Sequence, residues 1–139
     1  MPDHKCYHYG ERVKQRSQKV LVGGAFGGEG IGYVGFTSGP QKHLIDKVGL
    51  SDPLLARLPA VQPSNINKWK SGHFHRNIPA GYVKSVATGK NLLREPDIRH
   101  HYDFVRTITL GSVFSLHRLN VIANMNLGRY RHLLISTET

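Results

Sequence analysis

Cysteine is almost absent. The single Cys6 excludes an internal disulfide and any zinc site built from two or four cysteines of one chain. Acidic residues are scarce too, nine Asp and Glu against 19 Lys and Arg, which gives a formal charge of +10 and a pI near 10.1. Such an imbalance points to an anionic partner: nucleic acid, lipid head groups or a phosphorylated substrate. Long apolar runs are missing as well. The most apolar stretch, residues 20–36, is broken by Glu29 and holds seven glycines, whereas a membrane-crossing helix needs about 20 mostly apolar residues. The opening MPDHKCYHYGERVKQRSQK has no apolar core of the kind a signal peptide requires. These residues read as soluble, and their abrupt basic start is also that of a piece of a longer membrane protein. Catalytic signatures are absent too: there is no G-x-S-x-G elbow, no electropositive helix terminus at Cys6, and no close carboxylate pair for glycoside hydrolysis.

What is present suits one small domain. The chain has 139 residues, 39% apolar and 20% charged, enough apolar material for a core and too little for several domains. A basic, flexible segment is expected over 1–17, one soluble domain over 18–135 and a short tail over 136–139. Val20-Leu21-Val22, stopped by glycines, reads as a buried strand. Residues 33–36 and 43–46 read as two more, with a turn at Ser38-Gly39-Pro40 between them.

Helix signals dominate the rest. Asp52 can cap a short helix over 53–58, with Pro53 at its first position and Pro59 forbidding continuation. Pro79 can open a helix to Ala87 with Gly89 as its left-handed stop, burying Tyr82, Val83 and Val86. Pro96 opens a longer one in which Ile98, Tyr102, Val105 and Thr109 recur at helical spacing, ending before Gly111, while His100 and His101 read as helix-surface residues. Ser115 caps the last, whose Leu119, Ile122, Ala123 and Leu127 form one stripe, with Gly128 as its terminus. The expected fold is therefore α/β or α+β, a short Gly-rich strand region followed by about four helices.

Three constellations invite chemistry. Gly30-Ile31-Gly32-Tyr33-Val34-Gly35 matches the letters of a dinucleotide fingerprint, but Ser38-Gly39-Pro40 interrupts it and Asp46 follows too early, so turns and close backbone packing explain it better. His73 and His75 alternate as on one strand face, as do His4, Cys6 and His8. No further ligand completes either set, and no metal is assigned. Lys68-Trp69-Lys70 and His73-Phe74-His75-Arg76 interleave cations with rings, a composition able to hold phosphate and stack on bases or sugars. The bland alternative makes Trp69 and Phe74 core anchors and the cations a wet rim.

Longer strings resemble a known family. Gly49-Leu50-Ser51-Asp52-Pro53-Leu54-Leu55-Ala56-Arg57-Leu58-Pro59-Ala60 resembles the GL.DPLLARLPA segment of bacterial arabinofuranosyltransferase-like membrane glycosyltransferases. Gly72-His73-Phe74-His75-Arg76 with Ile78-Pro79-Ala80-Gly81-Tyr82 is similar to their GHF.R..P.GY, and Tyr102-Asp103 and Gly128-Arg129-Tyr130 to later positions. The similarity spans about residues 18 to 134. It departs at Lys70, where arginine is expected, and at Asn126-Leu127-Gly128, where Asn-Thr-Gly is usual.

The resemblance implies the soluble C-terminal domain of an enzyme that moves sugar from a polyprenyl-phosphate donor to a cell-envelope glycan, at the extracytoplasmic face of the bacterial inner membrane. Its partner would be the membrane portion of the same transferase, where the catalytic carboxylate is expected, so this chain carries no catalytic residue and needs no cofactor. The substrate-facing set is then Asp52, Arg57, Trp69, His73, Arg76 and Tyr82. In it Trp69 and Tyr82 stack on sugar faces, and His73 and Arg76 donate to hydroxyls or phosphate. The alternative class is a small basic nucleic-acid-binding protein, which would place the chain in the cytoplasm.

Overall fold

The computed structural model describes residues 4–23, 31–61 and 72–135. Among them are six helices and two strands: α1 (Lys5–Gln15), β1 (Val20–Gly23), α2 (Ile31–Ser38), β2 (His43–Asp46), α3 (Tyr82–Thr88), α4 (Pro96–Leu110), α5 (Leu116–Asn126) and α6 (His132–Ile135). The mixed class agrees with the sequence reading, and three of the four expected helices appear, as α3, α4 and α5, while α6 is unexpected.

β1 and β2 pair in parallel, Val20 opposite His43 and Gly23 opposite Asp46. Parallel neighbours need a crossover, and α2 lies on it. A parallel sheet is covered on both faces, which is why the apolar residues of neighbouring positions, Val20 with Leu21 and Leu44 with Ile45, point into opposite clusters. Val20 and Ile45 belong to the main core with Leu54, Leu55, Leu93, Ile98 and Val105. Leu21 lies in a second cluster with Cys6, Val13 and Val34, against which Leu44 packs from the same face.

Two expectations fail on this side of the molecule. Residues 33–36 are not a strand but the middle of α2. Ile31 and Val34 stand three apart and both meet the second cluster, so helical spacing prevailed over β-branched composition. The segment 1–17 does not stand apart either. His4 Nδ1 accepts from the Cys6 N–H at 3.3 Å to cap α1, which buries Cys6, Gly10 and Val13. Gly10 is where the two helices meet: a Cβ there would lie 1.6 Å from Thr37 Oγ1.

The other layer carries the site. Asp52 caps a 3₁₀ turn, Leu55–Arg57, shorter than the helix expected over 53–58. α3 starts at Tyr82 rather than Pro79, whose carbonyl accepts from the Tyr82 N–H at 3.0 Å. Gly81, at φ +94°, brings this start against residues 92–93, where a Cβ would strike the Leu92 carbonyl at 2.0 Å. α4 buries Ile98, Tyr102 and Val105 as its spacing predicts, and Gly89 and Gly128 take the left-handed conformation that ends α3 and α5. α5 departs from expectation. Its buried residue is Val121, with Met125 packed on the core, while Leu119, Ala123 and Leu127 of the predicted stripe face outward.

Candidate functional site

Asp52 and Tyr82 meet in the core. The Tyr82 hydroxyl donates to Asp52 Oδ1 at 2.8 Å, and the same oxygen accepts from the N–H groups of Leu54 and Leu55 at 3.0 and 2.8 Å. Both residues are about 1% exposed. Burial raises the Asp52 pKa despite these three donors, and Oδ2 has no partner. The Tyr82 pKa is pushed far up by burial and by the Asp52 charge. Tyr82 presents no ring face to a sugar, since Tyr102 packs edge-on against it at 5.4 Å. Its expected stacking role, and any ligand contact by Asp52, are therefore corrected: the pair ties the 3₁₀ turn to α3.

Arg76 is not a wet cation. Its Nε donates to the Leu58 carbonyl at 2.9 Å, Nη1 donates to the Phe74 carbonyl, and its N–H reaches the Lys47 carbonyl at 2.7 Å. The guanidinium thus straps residues 74–76 to the end of the 3₁₀ turn, and the backbone N–H holds them to the turn after β2. His73 and His75 are exposed. Trp69, with the rest of the Lys68-Trp69-Lys70 string, lies outside the described residues. Among the described residues no group of three His, Cys, Asp or Glu is placed to hold a metal ion.

Gly32 and Gly35 of the fingerprint-like string fall within α2, Gly30 lies outside the described residues, and Asp46 ends β2, a place where dinucleotide folds hold a ribose. Here the carboxylate is otherwise engaged. Its Oδ1 accepts from Val48 N–H at 3.0 Å and Oδ2 from Leu50 and Ser51 at 2.9 and 3.3 Å, so it builds the turn into the 3₁₀ segment.

Among the described members of the predicted set, Arg57 faces an open cleft. The cleft holds about 580 Å³ and lies between the 3₁₀ turn, α4 and the α5–α6 connection, within the usual size of a small-ligand site. Arg57, His101, Asn126, Tyr130 and Arg131 supply its polar wall, and Leu58, Pro59, Met125 and Leu134 its apolar floor. Tyr130 is held by stacking on Phe104 of α4, ring centres 3.9 Å apart and 12° from parallel. The tight turn at Gly128 sets Arg131, whose N–H donates to the Gly128 carbonyl at 3.1 Å. The Arg57 guanidinium donates from Nη1 to the Pro53 carbonyl, which fixes the head group beside the cleft.

His101 is the unexpected member. Far from being a helix-surface residue, it is 1% exposed, with both ring nitrogens shut off from solvent. Burial first, and the Arg57 charge second, lower its pKa to about 4, against a backbone hydrogen bond at Tyr130. It is therefore a neutral imidazole at pH 7, close to the Arg57 charge. A signal was available: His101 stands three after Ile98 and four before Val105, on the buried face of α4.

Chemically, the cleft can hold an anionic, hydroxyl-bearing ligand. Two arginines match phosphate or carboxylate, Asn126 matches hydroxyls, and Tyr130 offers an amphipathic edge. It shows no nucleophile paired with a base. Comparison with known protein families, with curated proteins and with solved structures finds no match for this chain.

Proposed function

We propose that this chain is a non-catalytic substrate-binding domain that works with a membrane glycosyltransferase in cell-envelope glycan assembly, and that its cleft receives the sugar or sugar phosphate. One observation carries the reading: a cleft of ligand size has Arg57 and Arg131 together on its wall, with Asn126 and Tyr130 beside them. Two guanidinium groups on one small cavity suit a phosphate or carboxylate group. The ordered likeness of 49–60 and 72–82 to arabinofuranosyltransferase-like enzymes supports the same assignment and supplies the substrate class. It also brings the GLSDPLLARLPA string to the cleft, since Arg57, Leu58 and Pro59 line it.

The purified chain should show no transfer from radiolabelled polyprenyl-phosphate arabinose to an arabinan acceptor, yet bind one of the two saturably. Transfer by the chain alone would move the catalytic centre into these residues. Absence of binding to both donor and acceptor would remove the proposal.

A second class rests on the +10 charge. A nucleic-acid binder would hold DNA or RNA with an affinity falling steeply in salt, as phosphate contacts release counterions. Micromolar binding that survives physiological salt and collapses in Trp69→Ala would favour that class over the first.

A further inference from the structure

We infer that the elbow between α4 and α5, with the outer face of α5, docks on an anionic lipid bilayer surface. This stands independently of the cleft. Five apolar side chains within ten residues point away from the core here: Leu110, Val113, Phe114, Leu116 and Leu119. Phe114 is 92% and Leu116 82% exposed, so these side chains project singly rather than lining a hollow. Along α5 the pattern continues through Ala123 and Leu127, the apolar stripe that helical spacing assigns to a core. The opposite face, through Val121, is what actually packs inward. An apolar helix face this size left outside marks a surface that meets something apolar.

The elbow is built rigidly, so the exposure is not that of a frayed end. Ser115 Oγ accepts from the Arg118 N–H at 3.4 Å, and its own N–H donates to the Ser112 carbonyl at 3.2 Å. Arg118 Nε donates to the Ile108 carbonyl at 2.9 Å and its Nη1 to the Val113 carbonyl at 3.3 Å, tying both helices together.

Charge selects the occupant. From residue 104 to 135 the sequence has four arginines, two histidines and no Asp or Glu. Arg106, His117 and Arg118 surround a groove of about 430 Å³ directly behind the projecting Leu110. The acid in that groove is Asp103, which pairs with Arg106 at 4.0 Å. Apolar side chains on a tip, cations one layer behind them and few acids are the chemistry of an interfacial anchor. The ring and aliphatic groups enter the acyl boundary, while the positive charge of Arg106 and Arg118, whose guanidinium groups are held by the Gly89, Ile108 and Val113 carbonyls, draws the anionic head groups. Among the described residues no helix is long and apolar enough to cross a membrane, and this contact requires none.

The test is flotation of the purified chain with phosphatidylcholine vesicles, with and without phosphatidylglycerol. Binding to the phosphatidylglycerol vesicles is expected, weakened by salt. The doubly substituted Phe114→Glu, Leu116→Glu chain should bind about tenfold less or weaker still, with an unchanged melting temperature because both side chains are already in water. No binding to anionic vesicles would overturn the inference, as would equal binding to neutral ones, or binding that the double substitution leaves intact. Self-association abolished by the double substitution, without vesicle binding, would also overturn it and make the face a protein interface.

Discussion

The Tyr82 hydroxyl donates to Asp52 Oδ1 at 2.8 Å across 30 residues of sequence, and this bond joins the cap of the 3₁₀ turn to the start of α3. Truncating either partner should cost stability. Tyr82→Phe removes one hydrogen bond to a buried carboxylate, about 2 kcal/mol, whereas Asp52→Ala also loses two backbone N–H partners and strands the phenol, about 3 kcal/mol. Urea unfolding of the two single variants and the double variant checks this. The double should cost less than the sum of the singles, since both remove the same bond.

Asp52 also has a pH signature. Burial holds its folded pKa above the ordinary 3.8, so its contribution to stability is fully present below 3.8 and is lost as the pH rises through the folded value. Asp52→Asn keeps an acceptor for the Leu54 and Leu55 N–H groups without the charge. Relative to the natural chain, this variant should therefore gain stability on going from pH 3 to pH 7. A difference in melting temperature that does not change with pH would show the carboxylate to be unstrained.

His101 has the opposite sign. Its folded pKa of about 4 lies below the ordinary 6.5, so the neutral imidazole contributes stability above 6.5 that is lost as the pH falls through 4. The loss amounts to at most about 3 kcal/mol. His101→Leu should flatten the melting-temperature profile between pH 4 and 6.5 while changing stability at pH 7 little, because leucine suits the buried position of the neutral ring. An anion bound between Arg57 and Arg131 should shrink the acid-side loss of the natural chain. It would offset the Arg57 charge that disfavours protonation.

Gly10→Ala should destabilise the chain by about 1–3 kcal/mol, since its methyl would lie 1.6 Å from Thr37 Oγ1 and 2.8 Å from Thr37 Cβ. Combining it with Thr37→Ala removes the first overlap and leaves the second, so calorimetry should show partial rescue. Full tolerance of Gly10→Ala alone would mean that α1 and α2 do not meet as closely as described.

Local signals proved legible wherever one residue fixes one conformation. Ser115 as a cap, Gly89 and Gly128 as stops, and the extent of α4 follow from backbone chemistry at those positions. Signals that depend on which face meets which partner did not. The stripe of α5 has the right period but points outward, and Val34 belongs to a helix because α1 covers it. The site showed the same division. Arg57 was reachable from its string, and the burial of His101 from its spacing to Ile98 and Val105, whereas its place beside Tyr130 at the cleft required the chain path. Arg76 read as a ligand because its three carbonyl partners, at Leu58, Phe74 and Lys47, are made by the chain path alone.

Arg57 and Arg76 therefore make an informative pair. Arg76 is half-buried and holds two segments together, so Arg76→Ala should lower stability by about 1–3 kcal/mol and reduce binding only as far as folding is lost. Arg57 is exposed and its guanidinium borders the cleft, so Arg57→Ala should leave the melting temperature within a degree or two. Its affinity for the sugar phosphate should nonetheless fall about tenfold or more, as one charged hydrogen-bond partner disappears. Arg57→Lys keeps the charge but not the fork, and should recover only part of that affinity. Thermal melts and ligand titrations on the three variants separate the roles. If Arg76→Ala lost binding with its melting temperature intact, or Arg57→Ala bound normally, the ligand would sit on the 72–76 segment rather than in the cleft.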